Sequence, residues 1–195
     1  MMIKFYSVLV PIISLVASVT FAGQSATQKA VLVPGQSLAG VALGPNGAEE
    51  LKKLGKPYRI DRGMSQTRQV WKWFKPGGRF DTFFLHTTSN GATDAQPSDG
   101  VTIDLIRTTA SRFKTADGIG AGSTLDQIRQ SFPDAAPVDG TSTIFDDVKR
   151  GIAFEFSNTP TNQSACIAVM VHTPGQGDLA TQQQVAEVLE NGNTD

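Results

Sequence analysis

Cysteine is almost absent from this chain, since Cys166 is the only one among 195 residues. One cysteine excludes a disulfide within the chain, so we expect the hydrophobic core alone to stabilise the fold. Two states of the thiol are open: a buried core group, which we expect, or an unpaired reactive thiol in an oxidising compartment.

Histidine is also scarce, and the sequence offers few groups for catalysis. His86 and His172 lie in predicted strands, outside any metal-ligand spacing or Gly-x-Ser-x-Gly motif. Cys166 and His172 are six residues apart in one predicted strand, about 20 Å, too far for a catalytic pair. The adjacent acids Asp146 and Asp147 are expected at a solvated strand end. We therefore predict no catalytic residue, metal or cofactor; an enzyme using His86 is the less favoured alternative.

Bulk charge is equally uninformative, because the net charge is −1 with 39% hydrophobic and 18% charged residues, an ordinary globular composition. The basic residues, however, are concentrated between Leu51 and Arg79, where Asp61 is the lone acid. This basic stretch contains Lys52, Lys53, Lys56, Arg59, Arg62, Arg68, Lys72, Lys75 and Arg79.

The first 22 residues have the pattern of a secretory signal. Lys4 precedes an apolar run from Phe5 to Phe21, and small residues at Ala22 and Gly23 follow. An uncleaved anchor is the alternative, although several polar residues and a proline lower the hydrophobicity of the run. We predict cleavage near Ala22, a periplasmic or secreted location, no lipid attachment and no membrane span after signal removal.

Two stretches of the chain resemble each other. Shifting Asp117–Phe132 back by about 78 positions places Gly118 on Gly40 and Gly122 on Gly44. Thr124 with Gln127, and Asn46 with Glu49, have the spacing of a helix capping box. Each copy therefore predicts a turn, a cap and a short helix. The turn at 118–123 could also cradle phosphate, but it lacks the lysine or acid of known phosphate loops, so a structural turn is favoured.

The elements after each turn follow one order. We predict an α+β fold of two tandem α-β-β-β repeats that form one curved antiparallel sheet with short helices on one face, plus a C-terminal helix. Ile152, Phe154 and Phe156 are expected on a dry face, and Ala153 and Glu155 on a wet one. After an edge strand near 30–33, the first predicted repeat covers 34–112, with a helix at 48–54 and strands at 69–74, 79–88 and 101–108. The second covers 113–174, with a helix at 125–132 and strands at 143–147, 151–157 and 165–173. A C-terminal segment at 175–195 contains a predicted helix at 179–190.

This pattern resembles the tandem repeats of the β-lactamase inhibitor protein-like superfamily, and one unit is similar to the small outer-membrane-assembly lipoproteins of the SmpA/OmlA type. The resemblance implies a helix pair packed on one face of a curved sheet whose other face grips a partner. The disulfides of the inhibitors and the lipoprotein cysteine are missing here. The resemblance rests on Gly40, Val41, Gly44 and Leu54 in one copy and on Gly118, Ile119, Gly122, Ile128 and Phe132 in the other.

The predicted hairpin at 69–88 carries more aromatic surface than a sheet covered on one side needs. If the turn of the hairpin has an even number of residues, one face of the sheet carries Trp71, Trp73, Phe80, Phe84 and His86. The other face then carries Val70, Phe74, Phe83 and Leu85, and Lys72 lies opposite Asp81. Two alternatives are open: another part of the chain covers this aromatic surface, or the surface is exposed and binds a partner. The binding hypothesis is a non-enzymatic module that grips a protein through Trp71, Trp73, Arg59, Arg62 and Arg68. A carbohydrate or envelope-polyanion binder is the alternative, and no nucleic acid is expected.

Overall fold

The computed structural model describes residues 32–63, 65–89, 100–138, 140 and 142–177. The predicted signal at 1–22, nearly all of the loop at 90–100 and the predicted helix at 179–190 lie outside these ranges.

The described residues form two short helices and eleven strands, most of them in antiparallel sheet, so the α+β class is correct in outline. The predicted helices and the strands of both halves are confirmed within a few residues. The elements are β1 (Leu32–Val33), β2 (Ser37–Leu38), β3 (Val41–Ala42), α1 (Gly47–Leu54), β4 (Arg59–Gly63), β5 (Gln66–Phe74), β6 (Phe80–Ser89), β7 (Val101–Thr108), α2 (Leu125–Ser131), β8 (Ala136–Pro137), β9 (Ile144–Asp147), β10 (Ile152–Glu155) and β11 (Ala168–His172).

Eight of these strands form one antiparallel sheet in the order β4-β5-β6-β7-β11-β10-β9-β8. Strands β4 to β7 follow α1 and strands β8 to β11 follow α2, and β7 pairs with β11 where the two halves meet. Strands β1, β2 and β3 form a separate small sheet. The sequence analysis missed β2, β3, β4 and β8; in β4 three of five residues are charged, which hides the alternation typical of a strand.

The two helices begin differently. At α2 the predicted capping box is present, because Gln127 N donates to Thr124 Oγ1 (3.3 Å) and Thr124 N donates to Gln127 Oε1 (2.9 Å). At α1 the predicted box is wrong, since the Asn46 side chain makes no capping bond. The Glu49 carboxylate instead pairs with Lys52 one turn further along the helix, at 2.5 Å.

The main core lies on one face of the large sheet, here called the main-core face. Its sheet residues include Trp71, Phe83, Ile106, Phe154 and Val171. Both helices and the small sheet belong to the same cluster through Leu51, Leu54, Leu125, Ile128, Phe132, Leu32, Leu38 and Val41. Neither helix is long enough to be stable alone, so this packing is what fixes them.

The opposite face, here called the far face, is also buried on β7, β9, β10 and β11, and burial at this part of the sheet corrects two predictions. Ala153 and Glu155 were expected on a wet face, but both are buried. Asp146 and Asp147 were expected at a solvated strand end, but only 4% and 1% of their surfaces are exposed. Asp146 pairs with His172 of a distant strand, and sequence alternation alone does not reveal such a partner. Asp147 is in register with Ile152, so it lies on the main-core face, where its Oδ1 accepts from the backbone N–H of Arg150.

Glu155 owes its burial to Arg107, the buried base of β7. Arg107 Nε donates to Glu155 Oε2 at 2.8 Å, and both side chains lie on the far face. The pair links a strand of the first half to a strand of the second. A buried ion pair of this kind is costly to break one partner at a time, because the remaining charge has no compensation.

Candidate functional site

The register of the β5–β6 hairpin differs from the even-turn expectation. Phe74 pairs with Phe80, and Lys75 N donates to Arg79 O at 2.7 Å, so five residues form the loop. Trp71 therefore lies opposite Phe83, and Lys72 opposite Thr82 rather than Asp81. The predicted face assignment was wrong because one added loop residue moves a strand's side chains to the other side of the sheet.

Trp71 lies inside the main core. Only 6% of its surface is exposed, its ring meets Phe83 edge-on at 6.2 Å, and its Nε1 donates to Gly55 O at 3.2 Å. Of the two alternatives for the aromatic hairpin, cover within the chain describes Trp71. We therefore do not propose it as a partner anchor.

Trp73 is half-buried at the border of the same cluster. Its ring centroid lies 5.0 Å from that of Phe83 and 5.5 Å from that of Phe113. The guanidinium of Arg112 stacks over the indole at 4.6 Å. Trp73 therefore packs against Phe83, Phe113 and Arg112 and remains partly exposed.

The three predicted arginines are divided between the faces. Arg59 and Arg62 are exposed on β4, which is the edge strand of the large sheet. Arg59 is in register with Val70 and Arg62 with Thr67, so they point to opposite faces. Arg68 lies 3.6 Å from Asp61, which shares its face. The structure thus does not bring the five predicted binding residues together.

A different aromatic group is exposed at the loop end of the hairpin, here called the hairpin-end patch and defined as Tyr58, Lys72, Phe74 and Phe80. Tyr58 is 62% exposed, Phe74 80% and Phe80 43%. Lys72 Nζ lies 3.9 Å from the centroid of the Tyr58 ring and 4.5 Å from that of Phe80. The rings of Phe74 and Phe80 pack edge-on at 6.4 Å. A hairpin loop of five residues, rather than four, would have predicted the Phe74–Phe80 pair from the sequence.

Two cations share the face of the patch: Lys72 is part of it, and the exposed Arg59 is in register with Val70. Lys75 is also exposed, but its ammonium pairs with the buried carboxylate of Asp81, which lies on the main-core face. Lys72 and Arg59 make the patch basic, and such a surface attracts anionic groups over a distance of about 8–10 Å at ordinary salt.

Two histidine–aspartate pairs lie on the far face, on either side of Leu105; the His172 pair is buried and the His86 pair is partly buried. His86 Nδ1 is 2.5 Å from Asp104 Oδ1, and His172 Nε2 is 2.9 Å from Asp146 Oδ1. His86 and His172 are both in register with Leu105. Within the described ranges, Nε2 of His86 has no hydrogen-bond partner.

The pKa of His172 is shifted by two opposing causes. Burial lowers it, but the hydrogen bond and charge of Asp146, with a smaller contribution from the carbonyl of Thr173, raise it above the ordinary value of 6.5. The folded protein therefore holds the proton of His172 more tightly than an ordinary imidazole does. The pair behaves as a structural ion pair whose strength depends on pH.

Cys166 is buried, as expected, and burial raises the pKa of its thiol to about 11. Its Sγ donates to Gly120 O at 3.3 Å. At neutral pH the group stays a thiol, which is neither nucleophilic nor a metal ligand.

The glycine-rich turn at 118–122 uses its polar groups internally. Ile119 N donates to Thr115 Oγ1, Gly120 N to Ser123 Oγ and Gly122 N to Cys166 O. A Cβ at position 120 would meet Phe113 O at 2.4 Å, so glycine is required there by close packing. These contacts agree with a structural turn.

Among the described residues, no group of three or more histidine, cysteine, aspartate or glutamate side chains could hold a metal ion. No helix in the same ranges has the length and apolarity needed to cross a membrane. Comparison of the chain with protein-family models, curated proteins and solved structures finds no match.

Proposed function

We propose that this protein is an exported, non-enzymatic binding module that holds another protein at the hairpin-end patch. The observation that carries the proposal is the exposure of three aromatic rings on one end of an otherwise well-packed sheet. Clustered exposed aromatic residues are uncommon on surfaces without a partner, and aromatic residues are enriched among binding anchors.

Preorganisation supports this assignment. Lys72 contacts the Tyr58 and Phe80 rings together, and Phe74 packs against Phe80, so each of the three rings has a neighbour within the patch. Side chains that are ordered before binding lose less conformational entropy on association. Since Lys72 and Arg59 lie on the face of the rings, the partner surface that fits is an apolar pocket with an acidic group at its edge.

The proposed scaffold is a pair of tandem repeats that form one curved sheet with the helices on one face. In both halves a short helix precedes four antiparallel strands. Gly44, before α1, bridges to Ile103, and Thr124, before α2, bridges to Ala165. These parallels support the repeat and the resemblance to the inhibitor-like superfamily, which remain proposals.

Export is part of the proposal and rests on the sequence of residues 1–22. We expect the mature protein to begin near Gly23 when its N-terminus is sequenced from a periplasmic or secreted fraction. A chain that begins at Met1 in a membrane fraction would contradict export.

A second candidate is a glycan or envelope-polyanion binder, favoured by Lys72 and Arg59 on the face of the aromatic rings. Salt distinguishes the two candidates, because binding through phosphate or sulfate groups weakens steeply with ionic strength and an aromatic anchor does not. A sulfated polysaccharide such as heparin is a suitable probe. Tight binding to heparin that is lost at high salt, without dependence on Phe74, would favour the second candidate.

The test of the protein-binding proposal uses the mature chain as bait in an envelope extract. We compare the native chain with the variant Phe74→Ser/Phe80→Ser and with the control Ile167→Ser, which removes an exposed apolar side chain elsewhere. The same protein should be captured by the native chain and the control, and lost with the double variant. Equal capture by all three would refute the hairpin-end patch as the binding surface.

A further inference from the structure

Strand β4 forms one edge of the large sheet, and its side chains are open to solvent. Arg59 and Arg62 are exposed, and so is 40% of the surface of Ile60. Among the described residues, no strand pairs with the outer side of β4. An edge strand of this kind presents unpaired backbone N–H and C=O groups, which can pair with a further strand.

The pairing with β5 determines which backbone groups of β4 face outward. Val70 O accepts from Tyr58 N, so the backbone groups of Val70 face β4. Val70 is in register with Arg59, and the backbone groups of Arg59 therefore face β5. Because these groups alternate in direction along an antiparallel strand, the N–H and C=O of Ile60 and Arg62 point outward.

The side chains of β4 alternate between the two faces of the sheet. Arg59 and Asp61 share the far face, and Ile60 between them lies on the main-core face. The Asp61 carboxylate is 3.6 Å from the guanidinium of Arg68, yet 45% of the Asp61 side chain remains exposed. Asp61 is therefore accessible to a second cation from outside the chain.

We propose that a second copy of this chain pairs with β4 along this edge in the antiparallel direction, with Ile60 opposite Ile60. The two copies are related by a two-fold axis perpendicular to the sheet, so each face of one sheet continues into the same face of the other. At the axis, the N–H of each Ile60 donates to the C=O of the other. This inference does not depend on the proposed function.

Charge complementarity selects this register. With Ile60 opposite Ile60, Arg59 of each copy lies opposite Asp61 of the other, which gives two ion pairs on the far face. Residues at such positions have Cα atoms about 4.5 Å apart, and opposite charges there stabilise the pairing of strands. On the main-core face, the two exposed Ile60 side chains lie side by side and cover each other.

The other registers that the outward backbone groups allow are repulsive. With Ile60 opposite Arg62, Asp61 would lie opposite Asp61 of the other copy. With Arg62 opposite Arg62, two arginines would meet at the axis. Charges on an edge strand usually prevent association, and in these two registers they do so. The paired segment is short, so we expect a weak dimer with a dissociation constant of about 10–100 µM.

The test follows the mass of the mature full-length chain by analytical ultracentrifugation at about 5–500 µM, a range that spans weak association. The native mass should rise from one copy towards two. Arg59→Asp places acids opposite each other, and Asp61→Arg places arginines so, and each should weaken association about tenfold or more. Arg79→Asp makes the same charge change at an exposed position outside β4 and should dimerise as the native chain does. A native chain that stays a single copy, or that dimerises no better than Arg59→Asp, would overturn the proposal.

Mixing the two single variants tests the charge pairing itself. Arg59→Asp has acids at positions 59 and 61, and Asp61→Arg has arginines at both, so an equimolar mixture restores two ion pairs between unlike copies. We expect the mixture to dimerise as the native chain does, while each variant alone remains a single copy. A mixture in which no dimer forms would refute the register.

A proline at position 60 tests the backbone pairing. The N–H of Ile60 points outward, so Ile60→Pro removes no hydrogen bond to β5, and proline is tolerated at such edge positions. We expect Ile60→Pro to abolish the dimer and to change Tm by about 2 °C or less at chain concentrations where the native chain is a single copy. Ile60→Val, which keeps the N–H, should dimerise as the native chain does. A dimer that persists in Ile60→Pro would show that the copies meet elsewhere, which contradicts the proposal.

Discussion

The two halves of the sheet carry hairpins of very different length. Strands β9 and β10 have four residues each, and all eight are buried. Strands β5 and β6 have nine and ten residues, and their loop end leaves Phe74 and Phe80 exposed. Seven of the ten residues of β6 are buried, so much of the longer hairpin also belongs to the core. Its loop end is the part that adds exposed surface.

Substitutions of Trp71 and Phe74, which both lie in β5, compare the buried part of the first hairpin with its exposed loop end. Trp71→Ala should cost about 3–5 kcal/mol of stability, because it empties a packed core site. Phe74→Ala should change stability by about 0.5 kcal/mol or less, since the ring is exposed. Urea unfolding of both variants gives the comparison. Similar losses for the two would mean that the loop end of the hairpin is part of the core.

The helix starts provide a smaller contrast between the halves. Thr124→Ala should destabilise the protein by about 1 kcal/mol, because the side chain caps α2. Asn46→Ala should cost clearly less, since Asn46 makes no capping bond at α1. Thermal or urea unfolding of the two variants measures both values. If Asn46→Ala proved as costly as Thr124→Ala, the two starts would be equivalent in solution.

The last contrast concerns pH dependence. The folded pKa of His172 is raised above 6.5, so protonated His172 stabilises the fold fully below pH 6.5. That contribution is lost as pH rises from 6.5 through the folded pKa. His172→Gln should remove this part of the pH dependence, measured as urea unfolding over the range from pH 5.5 upward. A native slope that persists in His172→Gln would assign the dependence to another group.

Local patterns predicted the regular parts of the fold. The alternation at 152–156 located β10, and the Thr124–Gln127 spacing located the start of α2. These signals were sufficient because their cause lies within a few residues. The same spacing was misleading at Asn46, where Lys52 competes for the Glu49 carboxylate.

The rest depended on contacts between distant parts of the chain. The burial of Asp146 requires His172, which is 26 residues away, and that of Glu155 requires Arg107, which is 48 residues away. The exposed aromatic residues were assigned to the wrong faces because one loop residue changes the register of a whole hairpin. Trp71 was considered as an anchor, although the exposed group is Tyr58, Phe74 and Phe80.

The most direct test of the account is the affinity of the captured partner for the native chain and for Phe74→Ala. The account predicts a loss of about 30-fold or more, which corresponds to about 2 kcal/mol and is the scale of a binding hot spot. Ile167→Ala, which removes an exposed apolar side chain in the other half, should bind as the native chain does. Unchanged affinity for Phe74→Ala would contradict the claim that the long hairpin is the binding element.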